Sequence, residues 1–139
     1  MVLFAILLLT GLFSTACREE TADSLPEPVK NTRVFEFQEK FILRAITAVL
    51  KERGFGEPQV DVEKSRVETD YVVQEDLRFK VVATVKKIDR KEREVTLNVI
   101  TEEKSSSEWK PKKLLDNAQY VRFFDEIEMQ IYRELSKGE

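Results

Sequence analysis

The stretch RFKVVATVKKIDRKEREVTLNV, residues 78–99, decides the fold because it holds two alternating segments on either side of a charged turn. Successive side chains of a β-strand point to opposite faces, so apolar residues at every second position mark a strand with one buried face. The apolar residues of shared parity are Phe79, Val81, Ala83 and Val85 before the turn and Val95, Leu97 and Val99 after it. With DRKE, residues 89–92, as the turn, the stretch predicts an antiparallel hairpin with one core face and one largely wet face.

The segment before the hairpin predicts a short strand and then an amphipathic helix. VFEF, residues 34–37, is interpreted as an edge strand. The helix is predicted to run through about Arg53, because apolar residues recur at three- and four-residue spacing and form one face. They are Phe37, Phe41, Ile42, Ala45, Ile46, Val49 and Leu50. Gly54 and Gly56 predict the end of this helix, with Pro58 just beyond.

A β region and a second helix complete the predicted elements. The alternation slips between residues 60 and 71, so a bulge or turn is expected near Lys64 and Ser65. SSSEWKPK, residues 105–112, is predicted to be a loop, and a last helix is predicted from about Lys113 to Ser136. Its apolar stripe comprises Leu114, Ala118, Val121, Phe124, Ile127 or Glu128, Ile131 and Leu135, widened by Leu115, Tyr120, Phe123 and Tyr132.

These elements predict an α+β fold in the order β-α-β-β-β-α. Two amphipathic helices on one face of a small antiparallel sheet of three or four strands would close a two-layer sandwich around one core. The chain of 139 residues, with 42% apolar residues, fits one such domain, which is expected to span residues 34–139.

Composition excludes several classes of function. The 23 basic and 26 acidic residues leave a net charge of −3, which argues against a general nucleic-acid binder. Histidine is absent and Cys17 is the single cysteine, which removes His/Cys metal sites, internal disulfides and Ser/His/Asp triads. No Gly-rich phosphate loop occurs, so we expect neither a cofactor nor a metal.

The first 16 residues predict where in the cell the protein is located. MVLFAILLLTGLFSTA, residues 1–16, is apolar, uncharged and too short to span a bilayer comfortably, as in a secretory signal with a small-residue cleavage site. With Thr15, Ala16 and Cys17 it resembles the signal of bacterial lipoproteins, in which the cysteine is acylated and becomes the new N-terminus. An ordinary secretory signal cut near Ala16, or an uncleaved anchor, are the alternatives. The resemblance implies a lipid anchor on Cys17 and, with Arg18 after it, the outer membrane.

The segment that follows predicts a tether. From Arg18 to Arg33 the chain has two prolines, many charges and few apolar residues, so it cannot bury enough surface to offset its ordering entropy. Residues 17–33 are therefore expected to hold the folded domain away from the membrane.

Candidate functional residues are few. The carboxylates of Glu102 with Glu103, and of Asp125, Glu126 and Glu128, are predicted on solvent faces among basic residues and do not indicate an acid/base pair. Basic clusters occur at Lys86 and Lys87, at Arg90 and Lys91, and at Lys110, Lys112 and Lys113. Acidic neighbours interrupt the first two, as in a solvated turn. Trp109 either caps one end of the core or is an anchor for a partner, and with Lys110, Lys112 and Lys113 it forms the candidate partner contact.

The element order itself carries a second resemblance. The helix ending in VLKERGFG, the hairpin of residues 78–99, the loop with Trp109 and the closing helix YVRFFDEIEMQIYREL resemble the helix-grip domains of BamC-type lipoproteins of the outer-membrane β-barrel assembly machinery. The chain is also similar, less closely, to the LPS-assembly lipoprotein LptE. The resemblance implies a non-catalytic, periplasm-facing scaffold or accessory subunit that acts through protein contacts.

A small-ligand or lipid-binding domain is the alternative function. It would use a cavity between helix and sheet lined by Phe41, Phe79 and Phe124. A fully packed core with an exposed apolar patch would favour a partner surface instead. An enzymatic function would need two carboxylates converging in a cleft.

Overall fold

The computed structural model describes residues 30–113 and 115–137. The elements are β1 (Thr32–Phe35), α1 (Glu39–Glu52), β2 (Gln59–Asp61), β3 (Arg66–Glu68), β4 (Val72–Gln74), β5 (Leu77–Lys87), β6 (Arg93–Ser105), β7 (Glu108–Pro111) and α2 (Asn117–Ser136). The predicted signal peptide, Cys17 and the predicted tether up to residue 29 lie outside the described residues.

The predicted hairpin is confirmed and forms the centre of an antiparallel sheet. β5 and β6 pair over the whole length of β5. The turn between them is closed by Asp89, whose carboxylate accepts hydrogen bonds from the backbone amides of Lys91 and Glu92, both at 2.8 Å. These bonds hold the pKa of Asp89 below its usual value, and the nearby Asp89 charge raises the pKa of Glu92.

Short strands extend the sheet on both sides of the hairpin. The sheet has the order β1-β6-β5-β3-β2, while β4 pairs with the start of β5 and β7 with the end of β6. The predicted α+β class is confirmed, but the described residues form seven strands rather than three or four. Most of the added strands are only three or four residues long, which is too short for an alternating pattern to be recognised.

Two predicted boundaries differ from the structure. The predicted loop of residues 105–112 is wrong, because β7 pairs with the end of β6 after a turn in which Ser106 adopts a positive φ of 62°. β1 is an edge strand as predicted, but it begins at Thr32, two residues before the predicted start of the domain. The side-chain amide of Asn31 already bonds the carbonyl of Leu97 at 2.9 Å, so the ordered pairing extends upstream of Val34.

Helix α1 confirms the sequence pattern. Its buried residues include all of the predicted face within the helix, and Leu43 in addition. The helix ends where Gly54 and Gly56 adopt φ of 94° and 77°, a conformation that residues with a Cβ rarely reach. The expected break near Lys64 and Ser65 is a turn that joins β2 to β3.

Helix α2 buries a face rotated from the predicted stripe. Its buried residues are Tyr120, Phe123, Phe124, Ile127, Gln130, Ile131 and Glu134. The predicted stripe includes Val121 and Leu135, and its predicted margin includes Tyr132, but all three side chains are exposed. The helix begins at Asn117 because Asp116 and Gln119 form a reciprocal capping box, with bonds of 2.9 and 2.8 Å.

Both helices lie on one face of the sheet and close a single core. The core contains residues of one parity from the strands, together with the inner faces of α1 and α2. From the strands these are Phe35, Val67, Val81, Ala83, Val85, Val95 and Leu97. The helices run antiparallel, since Arg53 at the end of α1 bonds Glu126 while Phe37, just before α1, contacts Tyr132. The fully buried core residues lie between residues 35 and 131, so a chain that begins at Arg18 keeps the entire core.

Candidate functional site

Trp109 belongs to β7 and lies on the sheet face opposite the helices. It pairs with Lys104, whose parity in β6 is that of the uncovered face. Its ring is half-buried and packs on the guanidinium of Arg78, whose central carbon lies 4.5 Å from the ring centroid. Trp109 therefore does not cap the core that the helices cover.

Arg78 is held between two aromatic rings. Its guanidinium carbon lies 4.2 Å from the ring centroid of Tyr71, in addition to its contact with Trp109. The Arg78 Nε donates a hydrogen bond of 2.6 Å to Glu102, its cross-strand neighbour in β6. A planar guanidinium can stack on an aromatic ring while its edge donates to a carboxylate. We call this arrangement the Tyr71–Arg78–Trp109 stack.

A second charged group borders the stack. Glu68 of β3 accepts from Lys80 at 2.8 Å and from Arg66 at 2.8 Å. The bond from Lys80, and then that from Arg66, holds the pKa of Glu68 below its usual value. The same Glu68 contact raises the pKa of Lys80, whose ammonium also lies 5.3 Å from the Tyr71 ring centroid. The charges on this side of the stack are therefore paired and held in place.

Exposed apolar residues accompany the stack. Val73 of β4 is 60% exposed, Ile100 of β6 is 37% exposed and Tyr71 is 37% exposed. Val73 pairs with Arg78, and Ile100 with Lys80, so both share the face of the stack. No helix among the described residues covers this face. We call it the open sheet face.

The predicted partner contact is divided by the structure. The alternation of β7 places Trp109 on the open sheet face and Lys110, which pairs with Glu103, on the other side. Lys112 forms an ion pair of 3.3 Å with Glu103. Lys113 is exposed beyond the strand. Trp109 thus lies beside Arg78 and Tyr71 and not beside the lysines that follow it in sequence. The sequence does not predict these neighbours, because the register of the strands determines which residues meet across a sheet.

A groove lies on the opposite side of the molecule, between α1 and the edge strand β2. Its volume is about 550 Å³. Its lining residues are Glu39, Lys40, Leu43, Arg44, Thr47, Ala48, Lys51, Val60, Val62 and Glu134. We call it the α1–β2 groove. The cavity expected between Phe41, Phe79 and Phe124 is a different place, and Phe41 and Phe124 are buried in the core.

The carboxylates considered for catalysis lie in surface ion pairs. Asp125 bonds Arg33 at 3.0 Å, and Glu126 bonds Arg53 at 2.9 Å. Glu102 belongs to the stack described above. Within residues 30–113 and 115–137, no cluster of three or more His, Cys, Asp or Glu side chains is suited to hold a metal ion.

No protein-family model matches the chain, and no curated protein sequence matches it at a significant level. Of the described helices, neither is both long and apolar enough to cross a bilayer.

Proposed function

We propose that this protein is a non-catalytic, lipid-anchored accessory subunit that faces the periplasm and binds a protein partner through its open sheet face. The observation that carries the proposal is the Tyr71–Arg78–Trp109 stack on a face that no described helix covers. Tyrosine, tryptophan and arginine are the residue types most enriched where protein interfaces gain their binding energy.

The stack supports binding because its polar and aromatic groups are already ordered. Arg78 is fixed by two rings and by Glu102, so a partner would meet a side chain that has already lost its rotamer freedom. Ordering long side chains costs roughly 0.5–1.5 kcal/mol each on association, and a fixed arginine avoids this cost. The exposed Val73 and Ile100 add apolar area beside it.

The membrane anchor rests on sequence. Thr15, Ala16 and Cys17 follow an apolar run, as in bacterial lipoproteins, and Arg18 favours the outer membrane in that class. The resemblance to BamC-type domains supports a role in envelope assembly or maintenance.

The anchor is tested by intact mass and membrane fractionation of the wild type and of Cys17→Ser in a Gram-negative host. We expect diacylglyceryl and acyl mass on the wild type, which should fractionate with the outer membrane. The Cys17→Ser variant should lose both the added mass and this fractionation. An unmodified, soluble wild-type protein would contradict the lipid anchor on Cys17 and the outer-membrane location.

The partner surface is tested by placing a photo-crosslinking amino acid at position 73 of the full-length protein in cells. Position 52, an exposed residue of α1, is the matched control because it lies on the helix layer. We expect a discrete cross-linked protein at 73 that is absent at 52, and that disappears when Arg78→Ala is added. Equal cross-linking at both positions would contradict a specific role for the open sheet face.

A further inference from the structure

We propose that the α1–β2 groove binds one unesterified medium-chain fatty acid, with the acyl chain along the groove and the carboxylate at Arg44. This site is separate from the open sheet face and does not depend on the partner proposed above.

The shape of the groove fits a single chain. One wall is a helical face that runs from Lys40 to Lys51, about 17 Å at a rise of roughly 1.5 Å per residue. The other wall is formed by Val60 and Val62. The volume of about 550 Å³ lies within the range of small-ligand sites, and a long, open shape suits an extended chain better than a compact ring system.

The walls of the groove leave apolar surface uncovered. Val60 is 43% exposed and Val62 is 68% exposed, and both lie across from Leu43 and Ala48 of α1. Burying this surface under an acyl chain would remove it from water without moving the core.

Charge favours an anionic head group, because the lining has more basic than acidic residues and hydrogen bonds hold both acids in place. Glu39 accepts a hydrogen bond of 2.7 Å from Ser65. Glu134 accepts from Gln130 at 2.8 Å and from Lys137 at 3.3 Å, and these bonds help to hold its pKa below its usual value. Lys40, Arg44 and Lys51 face these two acids, so the lining carries a net charge of +1. The charge stays +1 when the outside partners Glu57 of Lys51 and Lys137 of Glu134 are included.

Arg44 is the cation best placed to receive the carboxylate. Lys51 is paired with Glu57 at 3.0 Å. The Arg44 guanidinium lies 5.8 Å from the Phe41 ring centroid and within the field of Glu134, but it makes no hydrogen bond to another described residue. A guanidinium can bind a carboxylate through two parallel hydrogen bonds.

A peptide added to the β2 edge is the less favoured occupant. β2 has only three residues, and Asp61, Glu63 and Lys64 surround its end. Short edges with charged neighbours disfavour strand addition.

The test is calorimetric titration of the chain from Arg18 onward, which lacks Cys17, with laurate below its critical micelle concentration. Dodecyltrimethylammonium and dodecylphosphocholine have the same chain with a cationic or zwitterionic head group. We expect saturable binding of one laurate per chain, and at least tenfold weaker binding of both other amphiphiles.

Matched variants locate the site. Arg44→Gln and Val62→Glu should each weaken laurate binding at least fivefold, whereas Arg122→Gln and Val73→Glu, at exposed positions outside the groove, should change it less than twofold. Val62 is largely exposed, so its substitution spares the fold, and thermal unfolding of each variant checks this.

Three results would overturn the proposal: equal binding of all three amphiphiles, binding that does not saturate, or laurate affinity unchanged by both groove variants. Capture of a peptide at the β2 edge without laurate binding would assign the groove to strand addition instead. Because Val73→Glu spares the groove and Val62→Glu spares the open sheet face, failure here leaves the cross-linking result at position 73 unaffected.

Discussion

Thr69 shows how one side chain can replace a missing length of strand. It follows β3 directly and is only 2% exposed. Its backbone amide donates to the carbonyl of Val81, and its Oγ1 accepts from the amide of Val81, both at 3.0 Å. The hydroxyl therefore satisfies a buried backbone donor of β5 at a point where the neighbouring strand has ended.

Replacing Thr69 by valine should destabilise the protein by about 1–3 kcal/mol, because a similar shape would leave the Val81 amide buried without an acceptor. Thr69→Ser keeps the oxygen and should cost less. Denaturant unfolding of both variants measures the difference. A Thr69→Val variant as stable as Thr69→Ser would mean that the hydroxyl bond contributes nothing net.

Glu68 gives stability a defined dependence on pH. Bonds from Lys80 and Arg66 lower its pKa below the usual 4.5, so the folded state favours the charged form more than the unfolded state does. The contribution is present above pH 4.5 and is lost as the pH falls through the lowered pKa. The Lys80 pKa is raised above 10.5, so the contribution of Lys80 is lost only as the pH rises through that raised value.

We therefore expect Glu68→Gln to reduce stability at pH 7 and to change it less at pH 3, because the contribution of the carboxylate declines once the pH is below the unfolded-state pKa of 4.5. Denaturant unfolding of the wild type and of Glu68→Gln at the two pH values measures the difference in their free energies of unfolding, and we expect this gap to be smaller at pH 3. The exposed Glu52→Gln variant controls for the loss of one surface charge. A gap that widens toward pH 3 would contradict the assigned ion pairs.

An element is predictable from sequence when it is long and when its apolar residues follow a clear helix or strand period. The sequence predicts α1 and the hairpin closely because each repeats its apolar pattern over several periods. The sequence does not predict β7 because its four residues, EWKP, contain one aromatic residue and are too few to show an alternating pattern. The phase of α2 was misjudged because it has apolar residues on more than one side, and Gln130 and Glu134 occupy buried positions through a mutual hydrogen bond.

The same comparison explains why the candidate sites were incompletely predicted. Trp109 was singled out, but its partners Arg78 and Tyr71 come from separate segments and meet only through sheet register. The α1–β2 groove depends on the position of β2 beside α1, and the three residues of β2 are too few to show an alternating pattern.

The start of α2 is determined by its capping box. Asp116 accepts from the Gln119 amide at 2.9 Å, and the Gln119 side chain accepts from the Asp116 amide at 2.8 Å. Asp116→Ala should destabilise the protein by about 1 kcal/mol, because the Gln119 amide loses its side-chain acceptor. Asp116→Asn keeps an acceptor and should retain most of the stability in the same thermal unfolding assay. Equal losses in the two variants would show that the charge, rather than the hydrogen bond, matters.

At the scale of the whole molecule, the long hairpin connects two unequal regions. The half near the turn is covered by both helices and contains the fully buried Val81, Ala83, Val95 and Leu97. The other half carries β4 and β7, whose residues are half-buried or exposed. Regions with few buried apolar contacts open at lower free energy than the global unfolding reaction.

Native-state hydrogen exchange should therefore separate these regions. We expect the amides of residues 81–85 and 95–97 to exchange only through global unfolding, and those of β4 and β7 through local opening at lower free energy.

Ile46 of α1 is fully buried, so Ile46→Ala should lower global stability by about 2–5 kcal/mol through the cavity that it creates. Protection of the first set should fall by that amount, while β4 and β7 should keep their rates as long as their opening remains cheaper than global unfolding. Ile46→Val, which removes one methylene, should give a smaller shift confined to the same amides. If protection in β7 falls in parallel with the core, the hairpin transmits stability along its full length, and the open sheet face is as rigid as the helix-covered half.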